Sequence, residues 1–164
     1  MYTHPGKKLN FMGNEIGQFR EWDENREQDW DILHYPLHDA FTRYMQKLNE
    51  LYSANPALYN GEYNMSNFRW LVADDCEQCT YVFERSFGKD SVISVFNFSG
   101  TEQKVSFAAG RYSKLKELLN SRWEEFGGDV PKKKSPYTVS KKKSQSEIFT
   151  LTVPPQTGIM FKAY

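Results

Sequence analysis

The spacing of the apolar residues changes near Asn60 and Gly61, from the period of a helix to the period of a strand. Upstream of that point, apolar side chains recur three and four residues apart, which is typical of one amphipathic helix. Pro36 fits the first turn of a helix, and Pro56 disfavours helical geometry in the residue before it. We therefore predict a helix from Pro36 to just before Asn55. Its apolar stripe comprises Leu37, Phe41, Tyr44, Met45, Leu48, Leu51 and Tyr52.

Downstream of Gly61 the chain reads as short β-strands separated by turn sequences. The run 91–98 is apolar on both faces, so we predict that it is the central strand of a sheet. Regularly spaced short strands of this kind indicate an antiparallel sandwich or an open barrel. Tyr112, Leu115 and Leu118 are compatible with either a strand or a short helical turn. The predicted strands are residues 68–72, 80–87, 91–98, 103–107, 148–153 and 159–163.

Composition and charge limit the kinds of partner that we expect. With 21 basic and 21 acidic residues, the net charge of zero offers no general field for nucleic acid or an anionic membrane. The sequence has no signal-peptide pattern and no apolar run near the roughly 20 residues of a membrane span. We therefore expect a soluble cytoplasmic protein without nucleic-acid or membrane partners. Lysine clusters at 132–134 and 141–143 fall in residues 126–146, which we interpret as a long solvated loop.

Cys76 and Cys79 form a CxxC pair, which in other contexts is a redox motif or half of a zinc site. No second CxxC pair follows, and the three histidines lie far away in sequence. A redox pair of this type opens a helix, whereas strand-like sequence follows Cys79. We interpret the pair as two ordinary thiols at a turn and predict no metal site. A small redox or metal protein is kept as a further hypothesis.

The first 60 residues have an unusual organisation for the start of a protein. Residues 8–12, KLNFM, predict a short buried strand that ends at Gly13. Residues 14–35 are polar and acidic, and a connection of that length indicates a function rather than an idle linker. A single strand, a loop and one helix cannot form a sheet by themselves. We therefore expect these residues to be the end of a larger unit.

Several motifs of the chain occur together in one known family. FMGNE lies within KKLNFMGNEIGQFREW at residues 7–22, and is followed by QDWDILHYPLHDAF at 28–41 and LNELYSANPALY at 48–59. The strand-rich part contributes VFNFS, RYSKLKELLNSRWEEFGG and VPPQTGIMF, at residues 95–99, 111–128 and 153–161. In this order, and over nearly the whole chain, they resemble the C-terminal part of bacterial 1,4-α-glucan (glycogen) branching enzymes, members of the α-amylase superfamily.

The resemblance implies a mainly β fold. This is the C-terminal antiparallel β-sandwich of the α-amylase superfamily, preceded by the last strand, loop and helix of a truncated (β/α)8 barrel. Residues 8–13 are then the eighth barrel strand and residues 37–52 the eighth helix. Residues 1–60, the first segment, are the remnant of the catalytic barrel, and residues 61–164 are the C-terminal β-domain. Without its barrel neighbours, the strand is expected to be rearranged, disordered or paired with another molecule.

The resemblance also implies a function. The family cleaves an α-1,4 bond of a glucan and rejoins the freed chain through an α-1,6 bond, with retention at the anomeric carbon. That chemistry needs a carboxylate nucleophile and a carboxylic acid about 5–5.5 Å apart. In the family both lie on earlier barrel strands, so no catalytic residue is assigned here and the chain is predicted to be inactive, with no cofactor. The implied partners are α-glucan (glycogen or amylose) and the rest of the catalytic barrel.

Two alternatives remain open. An α-1,4-specific hydrolase of the same superfamily shares the barrel, so branching rests on the resemblance alone. The chain also fits a non-catalytic α-glucan-binding module, in which exposed indoles are platforms for glucose rings. The indoles in question are Trp22, Trp30, Trp70 and Trp123.

The loop after Gly13 is predicted to lie at the rim of the glucan-binding cleft, because barrel active sites lie at the C-terminal ends of the strands. Glu15 and Glu21, six positions apart, are in principle an acid/base pair. We favour a supporting role for Asn14 and Glu15, because catalytic carboxylates need a buried, pre-arranged pocket. The predicted substrate-binding residues are Asn14, Glu15, Gln18, Trp22 and Trp30.

The tryptophans differ in what the sequence predicts for them. Trp22 and Trp30 suit either stacking on glucose or packing of the long loop against the barrel. Trp123 is predicted to be a packing residue rather than part of a secondary glucan site.

Overall fold

The computed structural model of the chain describes residues 1–108, 110–132, 137–138 and 148–164. In this part of the chain, one α-helix, α1 (Pro36–Ala54), precedes eight β-strands. Short 3-10 turns occupy Asn14–Ile16, Trp30–His34, Pro56–Leu58, Met65–Asn67 and Glu124–Phe126. The strands are β1 (Phe68–Asp75), β2 (Thr80–Phe87), β3 (Asp90–Asn97), β4 (Gln103–Ala108), β5 (Lys114–Asn120), β6 (Tyr137–Thr138), β7 (Ile148–Val153) and β8 (Thr157–Ala163). None of the described helices combines the length and the apolar character of a membrane span.

The strands form two antiparallel sheets with a common core. Six of them follow the order β1-β2-β3-β8-β5-β6, and β4 pairs with β7 in a second sheet. β3 pairs with β2 on one side and β8 on the other, so the predicted central strand is confirmed. The sandwich core draws buried side chains from both sheets, and the predicted antiparallel sandwich is confirmed. Its members include Val82, Ile93, Val95, Val105, Phe107, Leu115, Phe149, Leu151, Val153, Ile159 and Phe161.

The six strands predicted from alternating sequence are all present. The stretch around residues 112–118, for which strand and helix both remained open, contributes β5, which pairs with β8 and β6. Most of the predicted loop 126–146, including lysines 133–134 and 141–143, lies outside the described residues.

The predicted helix is confirmed as α1, with Pro36 in its first turn and Asn55 directly after its end. α1 packs on the face of the six-stranded sheet opposite the sandwich core, where it meets Val92 and Met160. The first turn of its apolar stripe stays outside this contact, since Leu37 is 71% exposed. The cluster, called here the outer core, consists of Met45, Leu48, Leu51, Ala57, Leu58, Val92, Leu119, Trp123 and Met160. The outer core therefore attaches the first segment to the β-domain.

Residues 8–12 do not form the strand predicted for them. A strand needs neighbours for its N–H and C=O groups, and among the described strands none pairs with this stretch. The side chain of Lys8 instead donates hydrogen bonds to the carbonyl oxygens of His4 and Gly6, which folds the stretch back on itself. Among the described residues, the stretch implied as the eighth barrel strand is therefore not a strand, and a rearranged main chain was one of the three outcomes expected for it.

Gly128 closes the turn that follows Trp123, and we expect it to resist substitution. A Cβ atom at this position would lie 2.1 Å from the carbonyl oxygen of Arg122 and 2.3 Å from its carbonyl carbon, so the backbone must shift. We expect Gly128→Ala to lower the free energy of unfolding by about 1–3 kcal/mol. A Cβ atom at Gly100 meets nothing within 4 Å, so Gly100→Ala is the matched control, with a change below about 0.5 kcal/mol. Urea denaturation compares them, and equal midpoints would contradict the close approach at residue 128.

Candidate functional site

The loop after residue 12 forms an open pocket of about 440 Å³, called here the rim pocket. Gly13 starts the turn with a φ of 87°, a left-handed conformation that glycine adopts without steric cost. Its carbonyl oxygen then accepts hydrogen bonds from the N–H groups of Ile16 and Gln18. The rim pocket is lined by Phe11, Met12, Gly13, Asn14, Gln18, Phe19, Arg20, Glu21 and Trp22.

Gln18 and Arg20, in the first half of the long loop, make hydrogen bonds to Asp29 in its second half. The Gln18 amide donates to the carbonyl oxygen of Arg20 at 2.9 Å and accepts from the N–H of Asp29 at 2.9 Å. Arg20 donates to both carboxylate oxygens of Asp29, at 2.9 and 3.3 Å. The hydrogen bond from Arg20 holds the pKa of Asp29 below its ordinary value. These hydrogen bonds therefore hold Gln18 and Arg20 in fixed positions on one side of the rim pocket.

Glu15 makes hydrogen bonds within the loop and to α1. Its carboxylate accepts a hydrogen bond from the Asn10 amide at 3.4 Å, and its carbonyl oxygen accepts one from the Thr42 hydroxyl of α1 at 3.2 Å. Glu21 lines the rim pocket and Glu15 does not, so the two carboxylates do not face one cavity as an acid/base pair. The neighbouring Ile16 is buried, and its carbonyl oxygen lies 2.9 Å from Nδ1 of His38, which fixes the loop to α1.

The two loop tryptophans occupy different environments. Trp22 lines the rim pocket, is 43% exposed and packs edge-on against Phe11 with ring centroids 5.5 Å apart. Trp30 is 51% exposed and is not among the residues that line the rim pocket. The structure thus brings Asn14, Gln18 and Trp22 to one pocket, with Glu15 behind it and Trp30 outside it.

A second concave surface, called here the aromatic groove, lies on the β-domain and has a volume of about 510 Å³. Phe96 and Phe98 stack with an interplanar angle of 4°, and Trp70 packs edge-on against Phe83 with ring centroids 5.3 Å apart. The groove's aromatic residues are Trp70, Tyr81, Phe83, Phe96 and Phe98, and the N-terminal residues 1–8 form one wall. Sequence reasoning named Trp70 alone. The signal that could have found the rest is the recurrence of aromatic residues two apart on three neighbouring strands.

The two cysteines lie at the turn that joins β1 to β2, as predicted, and both are free thiols. Within the described ranges, no group of three or more His, Cys, Asp or Glu side chains is placed to hold a metal ion. Trp123 is 1% exposed, which confirms that it packs.

The β-domain matches a known family along its sequence. The family model "Alpha amylase, C-terminal all-beta domain" matches residues 70–164, more than half of the chain. The chain belongs to this family. The match begins within β1 and includes every later described strand, and it also includes the aromatic residues of the aromatic groove. The predicted fold class, mainly β and of the α-amylase superfamily, is confirmed.

Similar proteins include several branching enzymes. The 1,4-alpha-glucan branching enzyme GlgB of Rhizobium meliloti is 35% identical over a gapped alignment of 167 positions, which covers 99% of this chain and 22% of that protein. GlgB of Oceanobacillus iheyensis is 40% identical over an alignment of 134 positions, which covers 78% of this chain and 21% of that protein. The predicted resemblance to branching enzymes is confirmed. The chain spans about a fifth of the length of these curated relatives.

A solved structure extends the similarity in fold to the first segment. The debranching enzyme from Nostoc punctiforme superposes with a TM-score of 0.70, at 17% identity, over 98% of this chain and 29% of that one. The overlap includes α1 and the loop before it as well as the α-amylase C-terminal domain.

Proposed function

We propose that this chain is the C-terminal part of a 1,4-α-glucan branching enzyme. Residues 1–60 are then the end of its catalytic barrel, and residues 61–164 its C-terminal domain. The observation that carries the proposal is the 35% identity to a GlgB enzyme over 99% of the chain, because the alignment includes the first segment as well as the β-domain. In the cytoplasm the whole protein cleaves an α-1,4 bond and forms an α-1,6 branch.

In the whole enzyme, the role of this chain is to bind α-glucan at the edge of the catalytic cleft. Glycosyl transfer with retention needs two carboxyl groups about 5–5.5 Å apart. Among the described residues, Glu21 is the one carboxylate that lines the rim pocket, and Glu15 is turned towards Asn10, so the rim pocket does not hold that pair. The Trp22 side chain is partly exposed, and Asn14 and Gln18, which carry amide groups, line the same pocket. These groups suit an α-glucan, whose sugar rings present C–H groups to an indole and hydroxyls to amides.

A paired assay of the 164-residue chain with amylose tests this proposal. We expect no loss of iodine staining, because the catalytic carboxylates lie elsewhere in the enzyme. We expect weak retardation during affinity electrophoresis in glycogen, which Trp22→Ala abolishes. Trp30→Ala is the matched control: its indole is similarly exposed but lies outside the rim pocket, so retardation should persist. Branching by the chain, or equal retardation of the two variants, would contradict the assignment of the rim.

A non-catalytic α-glucan-binding module is the second candidate, and the aromatic groove favours it. Trp70 is 45% exposed and Phe98 66% exposed, so both rings are accessible to a ligand in the groove. Titration with maltoheptaose, followed by tryptophan fluorescence, distinguishes the candidates. Quenching that Trp70→Ala removes and Trp22→Ala preserves would support binding by the β-domain, and the reverse pattern would support the rim.

A further inference from the structure

A third pocket, away from both glucan candidates, lies at the edge of β1 and β2 and has a volume of about 320 Å³. Its walls carry two arginines, Arg69 and Arg111, on either side of the buried carboxylate of Glu84, which is 5% exposed. Both guanidinium groups approach that one carboxylate, at 2.7 and 3.9 Å. The pocket is lined by Ser66, Arg69, Glu84, Ser86, Gly110 and Arg111, and is called here the arginine pocket.

Glu84 is fully engaged inside the domain. One of its oxygens accepts from Nε and Nη2 of Arg69, at 3.1 and 2.7 Å. The other accepts from the hydroxyls of Ser91, at 2.8 Å, and Tyr112. Burial acts to raise the pKa of Glu84, but the hydrogen bonds from Tyr112, Arg69 and Ser91 outweigh it and hold the pKa below its ordinary value. The carboxylate is thus ionised at neutral pH, and Arg69 compensates its charge.

Arg111 is held in place without using its terminal nitrogens. Its Nε donates to the Tyr112 hydroxyl at 2.9 Å, and its guanidinium lies over the Tyr112 ring, 5.1 Å from the centroid. The nearest approach to Glu84 is 3.9 Å, which is beyond hydrogen-bonding distance. Among the described residues, neither terminal nitrogen makes a hydrogen bond. A ligand therefore meets a guanidinium whose position is already ordered, which lowers the entropy cost of binding.

The charge of the arginine pocket favours an anion. Two guanidinium groups and one carboxylate leave an excess of one positive charge. A guanidinium donates two parallel hydrogen bonds to the oxygens of a phosphate group, and these charge-assisted bonds are stronger than neutral ones. The volume is at the lower end of the range for small-molecule sites. We propose that the arginine pocket binds a phosphate group, either free or carried by a small organic molecule, with Arg111 as its main contact.

The test is a titration of the ¹⁵N-labelled chain, followed by backbone amide shifts, with glucose 1-phosphate, inorganic phosphate and glucose as separate probes. We expect saturable shifts at Gly110 and Arg111 with both phosphates and none with glucose. Binding of glucose 1-phosphate more tightly than inorganic phosphate supports a sugar phosphate. Equal binding of the two assigns the site to free phosphate. Shifts with glucose alone, or no saturable shift with any probe, would overturn the site.

Two variants make the test specific. Arg111→Gln should weaken binding at least about tenfold, because charge-assisted hydrogen bonds are lost. The side chain of Arg111 is 63% exposed and donates nothing to Glu84, so the rest of the amide spectrum should keep its positions. Arg26→Gln removes one exposed guanidinium outside the arginine pocket and is the matched control, with unchanged binding. If both variants bind equally, the shifts report general charge attraction, and the assignment of Arg111 is wrong.

Discussion

Replacing Trp123 by alanine is expected to lower the free energy of unfolding by about 3–5 kcal/mol, the cost typical of deleting a large buried aromatic side chain. Trp123 is 1% exposed and lies in the outer core, between α1 and the six-stranded sheet. Its ring stacks on Phe126 with centroids 6.1 Å apart, and Nζ of Lys132 lies 4.5 Å from the ring centroid. Chemical denaturation of the chain measures the loss.

Two further variants separate packing from polarity at this position. The indole Nε1 of Trp123 is buried, and among the described residues it has no hydrogen-bond partner. Trp123→Phe removes that N–H and keeps an aromatic ring, so we expect it to cost less than half as much as alanine. Trp30→Ala is the surface control, since Trp30 is half exposed, and it should change stability by less than about 0.5 kcal/mol. Similar losses for the residue-123 and residue-30 alanine variants would contradict the role of the outer core.

Six of the described strands were predictable from the sequence, whereas β5 was not. The six predicted strands alternate or are apolar throughout, and this pattern persists because each keeps one face towards the sandwich core. β5 has a register shift between Glu117 and Leu119 in its pairing with β8. As a result, Leu115 faces the sandwich core while Leu119 faces the outer core, although they are four positions apart. A β-bulge of this kind interrupts the two-residue alternation of apolar side chains by which a strand is predicted.

The predicted strand at 8–12 failed for a different physical reason. Its apolar pattern is correct for a buried strand, but pairing depends on partners far away in sequence. No described strand lies beside this stretch, so it does not form a strand. The apolar side chains of Leu9, Phe11 and Met12 are exposed. A local pattern therefore shows that a segment suits a sheet, but not that the sheet is present.

The rim pocket was predictable in part, and the other two pockets much less so. Gly13 and the polar loop identified Asn14, Gln18 and Trp22, because these lie within ten residues of one turn. The aromatic groove and the arginine pocket combine residues from β1 and β2 with residues more than ten positions away along the chain. Their geometry depends on strand register, which single-sequence reasoning did not assign.

Replacing Glu62 by glutamine is expected to lower the free energy of unfolding by about 3 kcal/mol at neutral pH, because it leaves the largely buried charges of Lys8 and Arg85 without their counter-charge. The Glu62 side chain is 2% exposed, and Nζ of Lys7 and Lys8 lie 3.2 and 3.7 Å from its oxygens. Arg85 on β2 is 1% exposed, and its guanidinium has no hydrogen-bond partner among the described residues. Burial lowers the pKa of Arg85, and the charge of Glu62 opposes that effect. Glu62 thus links the first segment to the β-domain electrostatically.

The pH dependence of this loss gives the sharper test. Burial acts to raise the pKa of Glu62, but the neighbouring ammonium groups of Lys7 and Lys8 outweigh it and hold the pKa below the ordinary value of 4.5. A carboxylate whose pKa is lower in the folded state stabilises the fold above the ordinary value, and this contribution disappears as pH falls through the folded pKa. The difference in unfolding free energy between wild type and Glu62→Gln should therefore be full at pH 7 and shrink below about pH 4.5.

A second substitution and a surface control decide whether the lost charge is the cause of the lower stability of Glu62→Gln. Adding Arg85→Met to Glu62→Gln removes the buried cation, so the double variant should be more stable than Glu62→Gln alone. Glu50→Gln breaks an exposed pair with Lys47 and should cost less than about 0.5 kcal/mol. Urea denaturation at pH 7 and pH 4 measures all of them. A loss for Glu62→Gln that stays constant over this pH range, and that the second substitution does not reduce, would mean that packing rather than charge makes Glu62 important.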